Sequence, residues 1–336
     1  MSERFEPKPL NLAALIEQGP PVLEHVEPPY LPEKASIWAA GATESGKSMW
    51  ALATACGLTR RGLYVVYISQ ENPLAVEHSR LARLRPDPSF LIFFHYAGFD
   101  LTQPDHVDAL AEAAVDLDDL LAGPTRNASL VVIDTHSACW SGDENANEAI
   151  AAYDRDSVRP LIEHTGASVL TLDHIGHQQA FVSRKGASAV RGASSKGQKA
   201  DVVLAFRSTG LHEFEIEHAK NRFGTKEPVR AFRVEDGEEG DTLALVPVET
   251  SHDRSVQEVP EAIVELVRGT ERPVGTTEIR DAMKGKAGRE LVNEAFDALE
   301  RESPPRLVTG KRQIAGRDGK VRPAKAWWSP DVEPLL

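Results

Sequence analysis

Gly41-Ala42-Thr43-Glu44-Ser45-Gly46-Lys47-Ser48 reads G-x-x-x-x-G-K-S, the spacing of a phosphate-binding loop. An apolar run from Ala35 to Ala40 precedes it and suits a buried strand. Ser48 to Leu58 follows, rich in Ala, Leu, Met and Trp, and suits a helix. Such a loop needs this setting, because a strand must deliver it and a helix N-terminus must complete it. There the unpaired N–H groups and the positive end of the helix dipole face an anion. Gly41 and Gly46 let the backbone curl so that the N–H groups of Ala42, Thr43, Glu44 and Ser45 point inward. Lys47 then reaches the β- and γ-phosphates, and the Ser48 hydroxyl holds Mg²⁺. An ordinary glycine-rich turn shares the spacing but not the strand before it and the helix behind.

Working outward, apolar strands alternate with helical patterns. Leu63 to Ser69 is a strand, followed by Gln70-Glu71-Asn72-Pro73 and a helix to about Arg85. Phe90 to His95 is a short strand and Val107 to Leu121 an acidic amphipathic helix. Leu130-Val131-Val132-Ile133 is a fully apolar strand ending in Asp134. Asn145 to His164 is helical, and Ala167 to Leu172 is another buried strand, ending at Asp173-His174. Unbroken apolar strands alternating with helices predict an α/β fold with a mostly parallel central sheet covered on both faces. Strand patterns at 201–207, 212–218, 229–234 and 242–248 predict an antiparallel extension.

Both ends differ in character. Residues 1–34 are proline-rich and poorly periodic, which reads as an N-terminal arm, either packed on a neighbouring subunit or a flexible tail. The core is expected over 35–250. The pattern breaks at Glu249 to Arg254, read as a linker, and 251–336 forms a separate small domain. Its helices are expected at Pro260 to Arg268, with proline at the first position, at Thr276 to Met283, opened by threonine caps, and at Gly288 to Arg301. A hairpin follows near Arg306 to Val308 and Ala324 to Trp328. That order predicts a winged helix.

The chain has 336 residues and a formal net charge of -13. The two cysteines, Cys56 and Cys139, lie in apolar segments and read as core residues of a reducing compartment. No apolar run approaches a membrane span, and Met1 to Glu6 lacks the shape of a signal peptide, so a cytoplasmic protein with no membrane partner is expected. The acidic total argues against a protein coated in polyanion. Local basic loops remain possible, because repulsion is screened beyond about 8 Å at physiological salt.

Three strand ends carry the candidate chemistry. Asp134 sits where a carboxylate at the crevice beyond a strand's carboxyl end would help hold Mg²⁺. Glu71, after the preceding long strand, would orient and deprotonate an attacking water, although Glu before Asn-Pro is also a common turn residue. His174 would bond the γ-phosphate, or serve the structure only. His174 and His177 make no zinc site, since no cysteine or further histidine pair joins them.

Taken in order, these segments resemble the RecA-like AAA-family ATPases of the hexameric replicative helicase branch, of plasmid, phage and mobile-element type. The likeness covers residues 31–250. It rests on Gly41 to Ser48, Tyr67 to Glu71, Leu130 to Thr135, Gly142 to Glu148, Asp173 to Gly176, and Arg191 to Ser195 followed by Ala200-Asp201. It implies ATP and Mg²⁺ as cofactors, Glu71 as catalytic base and His174 as γ-phosphate sensor. His177 departs from the pattern, since relatives often carry lysine there. The resemblance also singles out Ala219 to Gly224. In this group a Lys-x-Arg hairpin enters the neighbour's nucleotide site, which transfers to Lys220 and Arg222. By sequence alone the same residues are a basic surface turn. As a finger they require a ring or filament, most simply a homohexamer.

Two loops after Asp134 and His174 would face DNA. The first, Trp140 to Ala146, is acidic. The second, Gln178 to Lys199, carries Arg184, Lys185, Arg191, Lys196 and Lys199 without an acid, and suits sequence-independent contact with single-stranded DNA. A second basic run, Arg306 to Lys325, would be the wing on duplex DNA, whereas the third helix holds Glu290, Glu294, Asp297 and Glu300. The small domain is therefore either a duplex-DNA or a protein contact. The sequence thus points to an ATP-hydrolysing, DNA-dependent oligomeric motor, a hexameric helicase in particular. The alternatives are a RecA-like recombination mediator or loader that does not unwind, and an ATP-switched DNA-binding initiator or regulator.

Overall fold

The computed structural model describes residues 16–17, 23–115, 127–143, 146–174, 195–237, 240–270, 272–284, 287–303, 305–315 and 320–330. The chain divides into two units, Met1–Val248 and Glu249–Leu336.

The first unit opens with a small antiparallel pair, β1 (His25–Glu27) and β2 (Leu31–Pro32). Val26, Tyr30 and Leu31 are buried, so the last part of the 1–34 segment belongs to this unit's core. The cause is local: three apolar side chains within six positions meet Trp50, whose ring lies 5.7 Å from that of Tyr30. Next come β3 (Ser36–Gly41), α1 (Lys47–Arg60), β4 (Val65–Ser69), α2 (Leu74–Leu84), β5 (Leu91–His95), α3 (Pro104–Val115) and β6 (Leu130–Asp134). A single helical turn at His136–Cys139 leads to α4 (Asn147–Tyr153), a π-helical turn at Asp154–Val158 and α5 (Arg159–Thr165). Then come β7 (Ser168–His174), a short helix at Ser195–Lys199, β8 (Val202–Gly210), β9 (Glu213–Asn221), β10 (Arg230–Asp236) and β11 (Leu243–Val248).

The nine strands form one sheet in the order β11-β10-β9-β8-β3-β7-β6-β4-β5. From β8 to β5 all neighbours run parallel, and β9, β10 and β11 extend the sheet antiparallel. Every residue of β3, β4 and β6 is buried. This is why those strands read as unbroken apolar runs: both faces are covered. Successive side chains go to opposite cores. Trp38, Val66, Val131 and Val169 join one cluster, and Ile37, Val65, Leu130 and Leu170 the other.

The second unit has α6 (Ser251–Arg268), β12 (Val274–Gly275), α7 (Thr276–Ala282), α8 (Arg289–Arg301), β13 (Val308–Ala315) and β14 (Val321–Trp328). Its sheet runs β12-β14-β13, all antiparallel. Trp327 is fully buried and stacks on Phe296 at 4.9 Å. Two expectations are corrected here. The chain does divide at Glu249, but Ser251 to Arg254 is helix rather than linker, because Thr250 and Asp253 form a capping box that starts α6 well before Pro260. Pro260 therefore lies inside the helix. The threonines do not cap α7 either: Gly275 is the N-cap residue, and the Thr276 hydroxyl donates to the Lys325 carbonyl at 3.1 Å. No helix among the described residues is long and apolar enough to cross a membrane.

Candidate active site

Strand register sets the site. Gly41 pairs with His174 across β3 and β7, and Ser69 pairs with Asp134 across β4 and β6. Ile133 pairs with Thr171, so β7 and β3 run two residues past β6 and β4, and all four strands end at one edge of the sheet. In an open parallel sheet this edge is where ligands bind. A cavity of 840 Å³ opens there, lined by Thr43 to Met49, Glu71, Asn72, Arg80, His174 and the β8–β9 turn from Ser208 to Phe214.

The loop between β3 and α1 is a cradle that only its own residues fit. Gly46 is the N-cap of α1 at φ 88°. That left-handed conformation disfavours any side chain. A Cβ on Gly46 would also fall 2.4 Å from the Phe214 ring, and one on Gly41 would fall 2.5 Å from Ser45 Oγ and 2.7 Å from the Phe206 carbonyl oxygen. Lys47 folds over the loop, its Nζ donating to the carbonyls of Gly41 at 2.9 Å and Ala42 at 2.8 Å and to Ser45 Oγ at 3.3 Å. Burial pushes the Lys47 ammonium down to about 8, while Asp134, Glu71 and Asp173 pull it back up.

Ser48 Oγ donates to Asp134 Oδ1 at 3.1 Å, and the Tyr67 hydroxyl donates to Asp134 Oδ2 at 2.8 Å. Asp134 is fully buried. Burial lifts its carboxyl to about 6 against those two hydrogen bonds. A fully buried carboxylate beside the loop serine is a donor set suited to a hard divalent cation. So the loop, Lys47, Ser48 and Asp134 fit a magnesium–triphosphate group. On the facing side His174 Nε2 lies 3.0 and 3.1 Å from the two carboxylate oxygens of Glu71.

Two contributors were given no role by the sequence. Tyr67 lies within an apolar run, and only the β4–β6 register shows its hydroxyl reaching Asp134. Arg80 projects from α2 into the cavity wall. Its Nη1 is buried without a hydrogen-bond partner, and the nearby Glu77 carboxylate oxygen is 3.9 Å away. That oxygen is already held by Ser69 and Asn72. The spacing of Glu77 and Arg80 along one helix face was the available signal.

Lys220 and Arg222 lie elsewhere. Asn221 pairs with Val202, and Val202 with Ile37, so the turn sits by the amino end of β3. Gly41 is roughly 13 Å further along that strand. Lys220 Nζ donates to the carbonyls of Gly197, Gln198 and Ala200. Arg222 bonds the Gln198 carbonyl at 2.6 Å and Asp201 Oδ1 at 3.2 Å. Lys199 is exposed in the same short helix. Arg184, Lys185 and Arg191 lie outside the described residues, as does the side chain of Lys196. Among the described residues, no group of three or more His, Cys, Asp or Glu could by itself hold a metal.

A family profile described as an AAA domain matches residues 2–180. The DNA repair protein RadA of Brucella abortus (strain 2308) is 26% identical over 196 residues, 57% of this chain. The chain spans 38% of the length of that curated relative. A solved ATPase domain superposes with a TM-score of 0.52 at 16% identity, covering 71% of this chain and 96% of that one. A DnaB-like replicative helicase, solved in a study of its interactions with primase, gives 0.51 at 15% identity, covering 69% and 66%. At these identities the two structures speak to the fold, which is RecA-like.

Proposed function

Because the chain belongs to the AAA-domain family, we propose that it is an ATP- and Mg²⁺-dependent, DNA-stimulated oligomeric motor, a hexameric helicase in particular. One observation carries the reading: the loop lysine and serine, Glu71 and His174 line a single cavity at the carboxyl edge of the sheet, and the buried Asp134 is bonded to Ser48 beside it. Ser48 and Asp134 would hold Mg²⁺, which when bound neutralises charge on the phosphates. Glu71 takes the proton of the attacking water, and His174 bonds the γ-phosphate. Lys220 and Arg222, remote from their own loop, reach a neighbour's site. The loop from Gln178 to Lys199 contacts single-stranded DNA, and the second unit is a winged helix.

The test is steady-state ATP hydrolysis with and without single-stranded DNA, together with separation of a forked duplex. The reading expects stimulation by DNA, unwinding of defined polarity, and loss of both in Lys47→Ala. Stimulated hydrolysis without strand separation would favour a mediator or loader. The name of the RadA relative, a DNA repair protein, lends support to that second reading.

A further inference from the structure

We propose that the β13–β14 hairpin binds the phosphate backbone of duplex DNA, and that α8, the helix a winged-helix reader would place in the groove, stays out of it. The two strands carry Lys311, Arg312, Arg322 and Lys325, and neither holds an Asp or Glu. Their register sets Lys311 opposite Lys325, and Arg312 and Arg322 opposite the uncharged Ala324 and Ile314. With side chains alternating between faces, cations emerge on both sides of the ribbon. The Arg312 guanidinium lies 4.4 Å over the Trp328 ring, a cation–π contact that favours its position on the strand.

α8 has the opposite character. Its exposed positions include Glu290, Glu294, Asp297 and Glu300, so laying it along a groove would set carboxylates beside phosphates. Glu300 already takes Lys325 as a partner. In a chain of net charge -13, four cations on two strands without an acid fit a polyanion. Duplex is favoured over single-stranded DNA by the hairpin's aromatics. Trp327 and Trp328 are both buried, which leaves the strands no exposed ring on which unpaired bases could stack. What remains is charge on a two-stranded ribbon, a backbone contact indifferent to sequence.

The experiment measures binding of the full-length chain to a labelled blunt duplex and to a single strand by anisotropy, between about 50 and 200 mM salt. Lys311→Ala/Arg312→Gln/Arg322→Ala should weaken duplex binding at least tenfold. The slope of log K against log salt should become shallower by about 0.9 for each phosphate that is no longer neutralised. Glu294→Gln/Asp297→Asn on α8 should leave both quantities as in the wild type. Lys311→Ala alone, with an expected slope change of about one, keeps the test open if the triple variant misfolds. Wild-type duplex affinity and slope in the hairpin variants would overturn the proposal. Equal losses on duplex and single strand would overturn the duplex assignment. Altered particle size with unchanged duplex binding would make the hairpin a protein contact instead. Hydrolysis stimulated by single-stranded DNA, measured in parallel, reports separately on the motor reading.

Discussion

His174 Nε2 contacts both carboxylate oxygens of Glu71, at 3.0 and 3.1 Å, across the mouth of the loop cavity. The two side chains come from the ends of β4 and β7, which are not neighbours, since β6 lies between them. Under the proposed roles the base is hydrogen-bonded to the sensor. A γ-phosphate offers His174 a more highly charged acceptor, and once His174 turns to it Glu71 is released toward the water. Glu71→Gln should then lower kcat by roughly 10²- to 10⁴-fold. Nucleotide affinity, read by equilibrium titration, should stay near the wild-type value. His174→Ala should also slow hydrolysis while leaving the Glu71 carboxylate in place. Unchanged phosphate release in both variants would refute this assignment.

The loop glycines give a prediction on stability as well as binding. Gly46→Ala forces a left-handed conformation on a residue with a Cβ and drives that Cβ into the Phe214 ring. Phe214 cannot retreat easily, because it is buried against Phe206 and Phe232. A loss of about 1–3 kcal/mol is expected, seen as a lowered thermal midpoint, together with weaker nucleotide binding. Gly57→Ala is the internal control. It lies on α1 with only the Arg60 side chain near, at 3.8 Å, and should leave the midpoint unchanged or slightly raised.

Arg80 tests whether the cavity uses a positive charge supplied by the chain itself. Its buried Nη1 has no hydrogen-bond partner, and the side chain lines the same cavity as Lys47. Arg80→Ala should weaken nucleotide binding about tenfold, the scale of one charge-assisted hydrogen bond. Arg80→Lys should recover part of it, since a point charge cannot reproduce the planar fork. Titration calorimetry with a non-hydrolysable triphosphate separates this from an effect on folding, which the thermal midpoint would report.

What the sequence made legible follows from strand ends. Asp134, Glu71 and His174 each close or follow an apolar run, and a parallel sheet brings such ends together. The loop announces itself through Gly41, Gly46, Lys47 and Ser48. Side chains whose aim depends on packing were not legible. α2 carries Arg80 and Arg83 one turn apart, yet Arg83 pairs with Asp236 on β10 while Arg80 enters the cavity. Tyr67 looked like one more core residue until register placed its hydroxyl on Asp134. The start of α6 was hidden because a capping box and a break share the same polar residues, and Thr250 and Asp253 satisfy both patterns.

The turn holding Lys220 and Arg222 gives the sharpest test of assembly. In this chain Arg222 is bonded to Asp201, which also accepts from the Ser36 backbone N–H and from Arg159. Arg222 is about half exposed, so its removal should cost under about 1 kcal/mol of stability. The expected loss in hydrolysis is far larger, on the order of 10³-fold or more if the guanidinium serves a transition state. Stability and rate are thereby separated in one variant. Mixing Arg222→Ala with Lys47→Ala then decides which chain it serves. If the arginine acts across an interface, an intact loop from one variant can meet an intact finger from the other, and the mixture hydrolyses ATP well above the sum of its parts. If it acts within its own chain, no pairing of the two can rebuild a site, and the mixture stays as slow as the separate proteins.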